Sequence, residues 1–336
     1  MDGTRLGRIV FAAAAAALGT AAPGGTSGAG STGPQSAAGY PPAPRSGLRG
    51  KIAFNGFRGG IWVMNADGSG RRKITNPRLA PEGATDYDPS WSPDGKRIVF
   101  RTDRGHYVRD ESGSGAQGIF VVDVRTRRER QIQPRTGGLF PAWSPNGKWI
   151  AMTVLAPGGG ESIDVKRPDG TLVRTIRLRT FAGECSTWSP DSTRIAFCGH
   201  SGDGNWAVWV MNADGTDQRQ LTHPELVQPA GTGGDYPGAW SPDGKRIAYS
   251  SGQHESREVW VIDADGTSPR RLTRWPGADG PVVWLPDGRI VFDHEPAGGS
   301  GPKRWYLMNA DGTGIRSLPQ LNGVGELDWL WRVRSR

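Results

Sequence analysis

Five histidines are the side chains of this sequence best suited to bind a transition metal. They are His106, His200, His223, His254 and His294. Acids stand close to several of them in the sequence, and imidazole with carboxylate suits zinc or manganese. No two of these histidines have the short spacing of a local metal motif, so exposed polar loops are the alternative interpretation. We predict no metal on this pattern, and the candidates that a metal site would use are His106, His200, His254 and His294.

A second set of acids shares a register with a recurring tryptophan. Asp86, Asp235 and Asp279 each stand five residues before such a tryptophan, and Glu184 and Glu326 lie at nearly the same height. A common register predicts a common place in the fold, where a ring of acids could receive a divalent cation or the basic end of a peptide. The alternative is ordinary turn chemistry, since Asp is frequent where a chain enters a strand.

Two cysteines flank a predicted turn almost symmetrically. Cys185 lies three residues before Trp188, and Cys198 directly follows Phe197. They are expected to face each other across a hairpin to within one residue of register. In an oxidising compartment this arrangement predicts a disulfide between Cys185 and Cys198, provided that the strand geometry permits the bond.

Motifs for catalysis are missing from the sequence. The stretch Gly199-His200-Ser201-Gly202 fails the G-x-S-x-G pattern of serine hydrolases at Asp203. No phosphate-binding glycine loop, cysteine-rich metal motif or nucleotide fingerprint is present. We therefore predict a protein that is not an enzyme and that needs no cofactor.

The elements that must position these residues come from a repeat. WSPDGKRIVF at Trp91–Phe100 returns as WSPDGKRIAY at Trp240–Tyr249, and weaker copies begin at Trp143, Trp188 and Trp284. With Trp329, successive tryptophans are separated by 52, 45, 52, 44 and 45 residues. A period of about 40 to 50 residues is typical of propeller blades.

Each repeat contains four strand-like runs joined by two recurrent turns. Ser92-Pro93-Asp94-Gly95 has the chemistry of a type I turn, and Asn65-Ala66-Asp67-Gly68 ends in Asp-Gly, which suits a tight hairpin. Counting the runs predicts an all-β, six-bladed β-propeller of four-stranded blades. The C-terminal strand at Trp329 is expected to join the N-terminal strands in one blade and so close the ring.

The repeat WSPDGKRIAF, followed by IWVMNADG and RxLT, resembles the TolB-type β-propeller repeat of bacterial periplasmic and secreted proteins. The resemblance covers roughly residues 48 to 331 and is specific for the fold. It implies a propeller that receives partner segments at the mouth of its channel. TolB itself carries an α/β domain ahead of the propeller, whereas residues 23–47 of this sequence are rich in Gly, Ala, Ser and Pro. The third repeat, SIDVKRPDG, lacks the aromatic third strand.

The topology of such blades gives the ring two different faces. The uniform SPDG and NADG turns lie on one face, which we call the turn face. The variable loops lie on the opposite face, which we call the loop face; within the blades these loops span residues 102–118, 154–161, 199–206, 250–258 and 293–304. Function carried by loops on a rigid scaffold is expected on the loop face. There Asp86, Asp235, Asp279, Glu184 and Glu326 are expected to rim the channel mouth, with room for a divalent cation.

The N-terminal residues predict export. Two arginines precede a short apolar run that ends in small residues, so residues 1–22 read as a signal peptide, followed by a disordered tether at 23–47 and a propeller domain at 48–336. The formal net charge of +8 is spread rather than clustered, which argues against nucleic acid as a partner. We expect a monomer without a membrane span once the signal peptide is removed, located in the periplasm, on the cell wall or outside the cell.

These observations favour a non-catalytic binding scaffold that engages a protein segment or an envelope polymer through the loop face and the channel mouth. The alternative is a metal-assisted polysaccharide lyase or glycan hydrolase that uses the loop histidines and their neighbouring acids. The two hypotheses differ in whether the purified protein carries a stoichiometric metal.

Overall fold

Six four-stranded antiparallel sheets form the structure, a computed structural model. It describes residues 48–56, 59–75, 85–103, 118–133, 138–155, 161–180, 184–200, 205–224, 234–252, 256–297 and 302–330. The sheets are the blades of a propeller, which confirms the predicted all-β, six-bladed fold. The predicted signal peptide at 1–22 and tether at 23–47 lie outside the described residues.

Blades 1 to 3 come from the N-terminal half of the chain and from its last strand. Their strands are β1 Lys51–Gly56, β2 Ile61–Asn65, β3 Arg72–Lys73 and β24 Val324–Leu330 in blade 1, β4 Asp86–Trp91, β5 Arg97–Thr102, β6 Gly118–Asp123 and β7 Glu129–Gln133 in blade 2, and β8 Gly138–Trp143, β9 Ile150–Leu155, β10 Glu161–Lys166 and β11 Leu172–Arg177 in blade 3.

Blades 4 to 6 repeat the same meander. Their strands are β12 Glu184–Trp188, β13 Arg194–His200, β14 Trp206–Asn212 and β15 Arg219–Gln220 in blade 4, β16 Asp235–Trp240, β17 Arg246–Ser251, β18 Glu258–Asp263 and β19 Arg270–Arg271 in blade 5, and β20 Gly277–Trp284, β21 Arg289–Pro296, β22 Arg304–Asn309 and β23 Arg316–Ser317 in blade 6. A short 3₁₀ turn, Pro319–Leu321, leads from blade 6 into β24.

The ring closes inside blade 1, as the count of runs predicted. Strand β24 pairs antiparallel with β1, so that Ile52 lies opposite Trp329 and Lys51 lies opposite Leu330. Trp329 also donates its indole Nε1–H to the carbonyl of Arg49 at 2.9 Å. The two ends of the propeller therefore hold each other by strand pairing, and no inner strand is left unpaired in this part of the molecule.

The repeated turns are stabilised by their own side chains. In the first turn of blade 2, the Ser92 hydroxyl donates to Asp94 at 2.6 Å and accepts the backbone N–H of Arg97 at 2.9 Å. Gly95 takes a φ of 68°, which only glycine adopts without strain. The residues of the SPDG motif thus stabilise the turn that they form. The motif recurs because every blade needs this turn.

The repeat tryptophans and arginines pack neighbouring blades together. In blades 2, 4 and 5 the arginine that follows the first turn lies over the indole of the next blade, with Arg97 5.0 Å from the Trp143 ring, Arg194 4.7 Å from Trp240 and Arg246 5.0 Å from Trp284. These tryptophans are only 5–6% exposed. Each cation–π pair contributes on the order of 1 kcal/mol to the contact between blades.

Blade 3 replaces two apolar positions with a polar arrangement. Asp164 occupies the aromatic position of the third strand and accepts a hydrogen bond from the Thr175 hydroxyl at 2.6 Å. Lys166 is 7% exposed and donates to the carbonyl of Ile132 and to the side chain of Gln133 in blade 2. Burial lowers the pKa of the Lys166 ammonium, against the attraction of Asp164. Blade 3 therefore contacts blade 2 partly through hydrogen bonds.

Within the described part of the chain, the structure contains no helix that is long and apolar enough to span a bilayer.

Candidate functional site

The inner strands that line the channel carry a β-bulge. Their register against the second strand shifts in every blade, for example between Tyr87 and Ser90 in blade 2. Three residues at the bulge adopt a positive φ, which is 49° at Asp88, 48° at Phe140 and 58° at Cys185. Because a bulge inserts one extra residue, it reverses the alternation of side chains beyond it.

The bulge decides which residues face the channel. In β4 the first, fourth and sixth residues are buried, and the second, third and fifth are partly exposed; β8 shows the same pattern. Counting back from the repeat tryptophan in these two strands, the residues one, three and four positions before it are partly exposed, whereas in β16 the residues one and three positions before it are buried. The residue five positions before it is buried.

This burial corrects the predicted acidic rim. Asp86, Asp235 and Asp279 are 1%, 0% and 1% exposed, so their carboxylates do not line a solvent-filled channel mouth. They are strand residues on the buried side of the bulge, and not loop residues that approach the strand. The three aspartates do occupy the same position relative to the repeat tryptophan, but that position is buried within the propeller.

Asp86 joins blade 2 to blade 1 through Thr75. The Thr75 hydroxyl accepts the backbone N–H of Ile61 at 2.9 Å and donates to Asp86 Oδ2 at 2.7 Å. The threonines of the other RxLT motifs accept the equivalent N–H groups, Thr222 from Val208 and Thr273 from Val259, each at 2.9 Å. The Asp and Thr positions of the repeat thus form a buried contact between consecutive blades.

Blade 6 carries a histidine at this contact. Nδ1 of His294 lies 2.7 Å from Asp279 Oδ1, where blades 2 and 5 have Thr102 and Ser251 opposite their aspartates. Burial raises the pKa of the Asp279 carboxyl, while hydrogen bonds from Thr273 and His294 act against that rise. Asp279 therefore orients the imidazole.

The remaining histidines do not join His294. The ring centroid of His200 lies 4.1 Å from that of Trp206, and His223 contacts Gln220 at 3.3 Å. His106 and His254 lie outside the described residues. Among the residues that are described, no three His, Cys, Asp or Glu side chains form a group that could hold a metal ion. The lyase or hydrolase alternative gains no support from this part of the chain.

A charged and aromatic cluster lies where the inner strands of blades 1, 2 and 3 reach the loop face. Arg101 Nε is 2.7 Å from Asp88 Oδ2, and the guanidinium lies over the rings of Tyr87 and Phe140, 4.8 and 5.3 Å from their centroids. Glu326 Oε2 accepts the backbone N–H of Asp88 at 2.9 Å. We call these five residues the mouth cluster.

The surroundings of Asp88 change the ionisation of its carboxyl group. Burial raises the pKa of the Asp88 carboxyl well above its ordinary value, and the neighbouring charge of Glu326 raises it further, against the attraction of Arg101. Glu326 was a predicted rim residue, and it is exposed at the mouth. Asp88 was missed, because strict counting from the tryptophan selected Asp86 two residues earlier.

A second aromatic group crosses from blade 4 to blade 5 on the same face. Trp206 lies between His200 at 4.1 Å and Tyr236 at 5.8 Å, measured between ring centroids. The Arg257 guanidinium lies 4.8 Å from the centre of the Tyr236 ring. Tyr, Trp and Arg are the residues most enriched at the centres of protein interfaces. These described residues of the loop face are therefore of the types that protein interfaces favour.

The remaining predicted residues lie in blade 4. Glu184 is the first residue of β12 and pairs with Cys198 across the hairpin, while Cys185 sits at the bulge. The structure shows no bond between the two cysteines, so it does not bear out the predicted disulfide. Cys185 is partly exposed at the bulge, and Cys198 is fully buried within the sheet.

Comparisons with known proteins agree with the fold. No family model matches the sequence. The protein TolB homolog of Chlorobium luteolum is 29% identical over 283 residues, which cover 83% of this chain and 59% of that protein. The Tol-Pal system protein TolB of Gluconobacter oxydans is 32% identical over 244 residues, which cover 58% of this chain and 50% of that protein. The chain thus spans between half and three fifths of the length of these two relatives.

Solved structures show the same architecture. The crystal structure of TolB from Acinetobacter baumannii superposes with a TM-score of 0.63 at 19% identity, covering 84% of this chain and 66% of that one. At this identity the similarity establishes the fold and leaves the ligand open.

Proposed function

The chain carries a propeller of the TolB type, and from that premise we propose that it is an exported binding scaffold. It receives a segment of a partner protein at the mouth of the channel on the loop face. The relatives whose names place them in the Tol-Pal system support a role within the cell envelope. Envelope polymer is the other ligand that the sequence suggested, and the aromatic surface favours protein.

The mouth cluster is the observation that carries this proposal. Arg101 is held between Tyr87 and Phe140 and paired with Asp88, so its guanidinium is fixed before any partner arrives. A fixed side chain loses little conformational entropy on binding, and this favours affinity. The exposed carboxylate of Glu326 beside it offers an acceptor for a basic group of the partner.

The described ends of the propeller lie beside the turn face. Leu48 and Arg49 precede β1, and β24 ends at Leu330, where the carbonyl of Arg49 accepts the indole N–H of Trp329.

Capture of a partner from a native envelope extract tests this function. We expect the wild-type protein to retain one envelope protein, identified by mass spectrometry, and the double variant Tyr87→Ala, Phe140→Ala to lose about tenfold or more of that retention. Arg270→Ala, an exposed residue on the turn face, is the matched control and should retain the partner fully.

Equal retention by the double variant and the wild type, with both folded by circular dichroism, would remove the mouth cluster from the function. Retention of polysaccharide in place of protein would shift the ligand class to envelope polymer.

A further inference from the structure

The opposite end of the channel, on the turn face, opens into an apolar bowl. Two adjoining cavities of about 510 and 230 Å³ share several lining residues and together reach all six repeat tryptophans. The prolines of the SPDG-type turns complete the wall; they are Pro93, Pro145, Pro190, Pro242 and Pro286. The volume is in the range of small-ligand pockets.

One charged side chain lies in this apolar wall. Asp328 lines both cavities, and every other lining residue is uncharged. At the same position, one residue before the repeat tryptophan, the other blades have Ser90, Ala142, Thr187 and small or apolar residues. The sequence repeat therefore places a single carboxylate in the bowl, on the strand that closes the ring.

Asp328 retains acceptor capacity for a ligand. Its Oδ2 accepts the backbone N–H of Trp91 at 2.6 Å, and its Oδ1 accepts that of Trp329 at 2.8 Å. A carboxylate offers about four lone-pair positions, so these bonds fix the group without exhausting it. Burial raises the pKa of Asp328, while the N–H groups of Trp91 and Trp329 and the Ser90 hydroxyl oppose the rise.

We propose that the turn-face bowl binds a basic side chain of a partner protein, with the aliphatic stem against the Trp and Pro wall and the cationic head on Asp328. Long basic side chains bury their stems on apolar surface while the head finds a charge partner. Guanidinium groups of this chain already pack on three of the same indoles, those of Trp143, Trp240 and Trp284, from the side of the neighbouring blade. This site is separate from the mouth cluster.

A cation is the expected ligand because Asp328 is negatively charged and no other lining residue carries a charge. An anion would meet Asp328 with no basic side chain among the lining residues, and a wholly apolar group would leave the carboxylate covered and without solvent. Covering a charge in that way costs free energy unless an opposite charge accompanies it. An arginine or lysine flanked by apolar residues satisfies both parts of the wall.

A matched pair of peptides tests the bowl on the full chain. The probes are acetyl-Leu-Arg-Leu-amide and its twin in which citrulline, an uncharged isostere, replaces arginine. We expect calorimetry to show binding of the arginine peptide and an affinity at least about tenfold lower for the twin. In Asp328→Asn the two peptides should bind equally weakly.

Two further variants keep the test decisive. Thr187→Arg places a cation in the bowl without touching the bonds of Asp328, and it should weaken the arginine peptide if Asp328→Asn fails to fold. Glu326→Gln, at the other end of the channel, should leave both affinities unchanged. This separates the bowl from the proposed function of the mouth cluster.

The proposal is overturned if neither peptide binds to the wild type, or if both bind with the same affinity. It is also overturned if Glu326→Gln, and not Asp328→Asn, abolishes binding. A variant lacking residues 331–336 that binds the arginine peptide when the full chain does not would show that the basic residues after Leu330 occupy the bowl, and would remove the partner protein from the proposal.

Discussion

Replacing Asp86 by alanine should destabilise the propeller and leave partner capture intact. Asp86 is 1% exposed and accepts the Thr75 hydroxyl at 2.7 Å, so the variant leaves that buried hydroxyl without its acceptor. Loss of a buried hydrogen bond to a charged group costs about 1.5–3 kcal/mol. For a domain of this size each kcal/mol lowers Tm by about 2–4 °C, so a fall of about 3–12 °C is expected.

Asp86→Asn is the matched control for this experiment. Its amide oxygen can still accept the bond from Thr75, so the loss should stay below about 1 kcal/mol. Urea and thermal unfolding measure the stability of both variants, and capture from envelope extract at a temperature well below the lower Tm measures function. Tyr87→Ala, one residue along the strand, should show the reverse pattern.

The opposite result would refute this reasoning. If Asp86→Ala abolished capture with an unchanged free energy of unfolding, the carboxylate would belong to the binding surface and the first, rim interpretation of the register would stand. A loss of both properties at temperatures far below the measured Tm would show that the contact between blades 1 and 2 shapes the mouth cluster.

Three further results are expected. Burial and the charge of Glu326 raise the pKa of Asp88 against the attraction of Arg101, so the folded state binds this proton more tightly than the unfolded state. Stability should therefore fall as pH rises above about 4, and Asp88→Asn should flatten that fall, measured as Tm between pH 4 and 8. Arg194→Met removes the contact with Trp240 and should cost about 1–2 kcal/mol in urea unfolding, whereas an unchanged midpoint would show that the cation–π contact contributes nothing. Ellman titration of the denatured, unreduced protein should detect both of the chain's 2 cysteines, and the absence of thiols would show that the disulfide forms in solution.

The fold was predictable because its determinants are local and repeated. Each SPDG turn closes on its own serine, aspartate and glycine, and each strand run alternates in the way that a blade requires. The motif occurs five times, and a sixth tryptophan, Trp329, stands in the same register, so the sequence indicates the same supersecondary unit repeatedly. Ring closure was predicted by counting the strands of each repeat. The N-terminal repeat lacks an inner strand and the C-terminal repeat has only that strand, so together the two ends complete one blade.

The predicted site was less accurate, and Asp86 and Asp88 show why. The two residues are alike in type and lie two positions apart, yet one holds blades together and the other lies at the channel mouth. The difference arises from the bulge between Tyr87 and Ser90. The residue types in this stretch do not predict a bulge, so the sequence alone did not indicate which aspartate is buried. Asp328 was overlooked for a related reason, since the last repeat stops before its turn and offers no motif to align.

The sequence by itself determined the blades, their number, the closure of the ring and the division between a uniform and a variable face, because each of these depends on short-range turn and strand chemistry. Only the tertiary structure decided which acids are buried, which three blades meet at Arg101, and that the turn face holds a carboxylate among tryptophans. Those facts depend on side chains that are remote in sequence and on one inserted residue per inner strand, which changes the direction of every side chain beyond it.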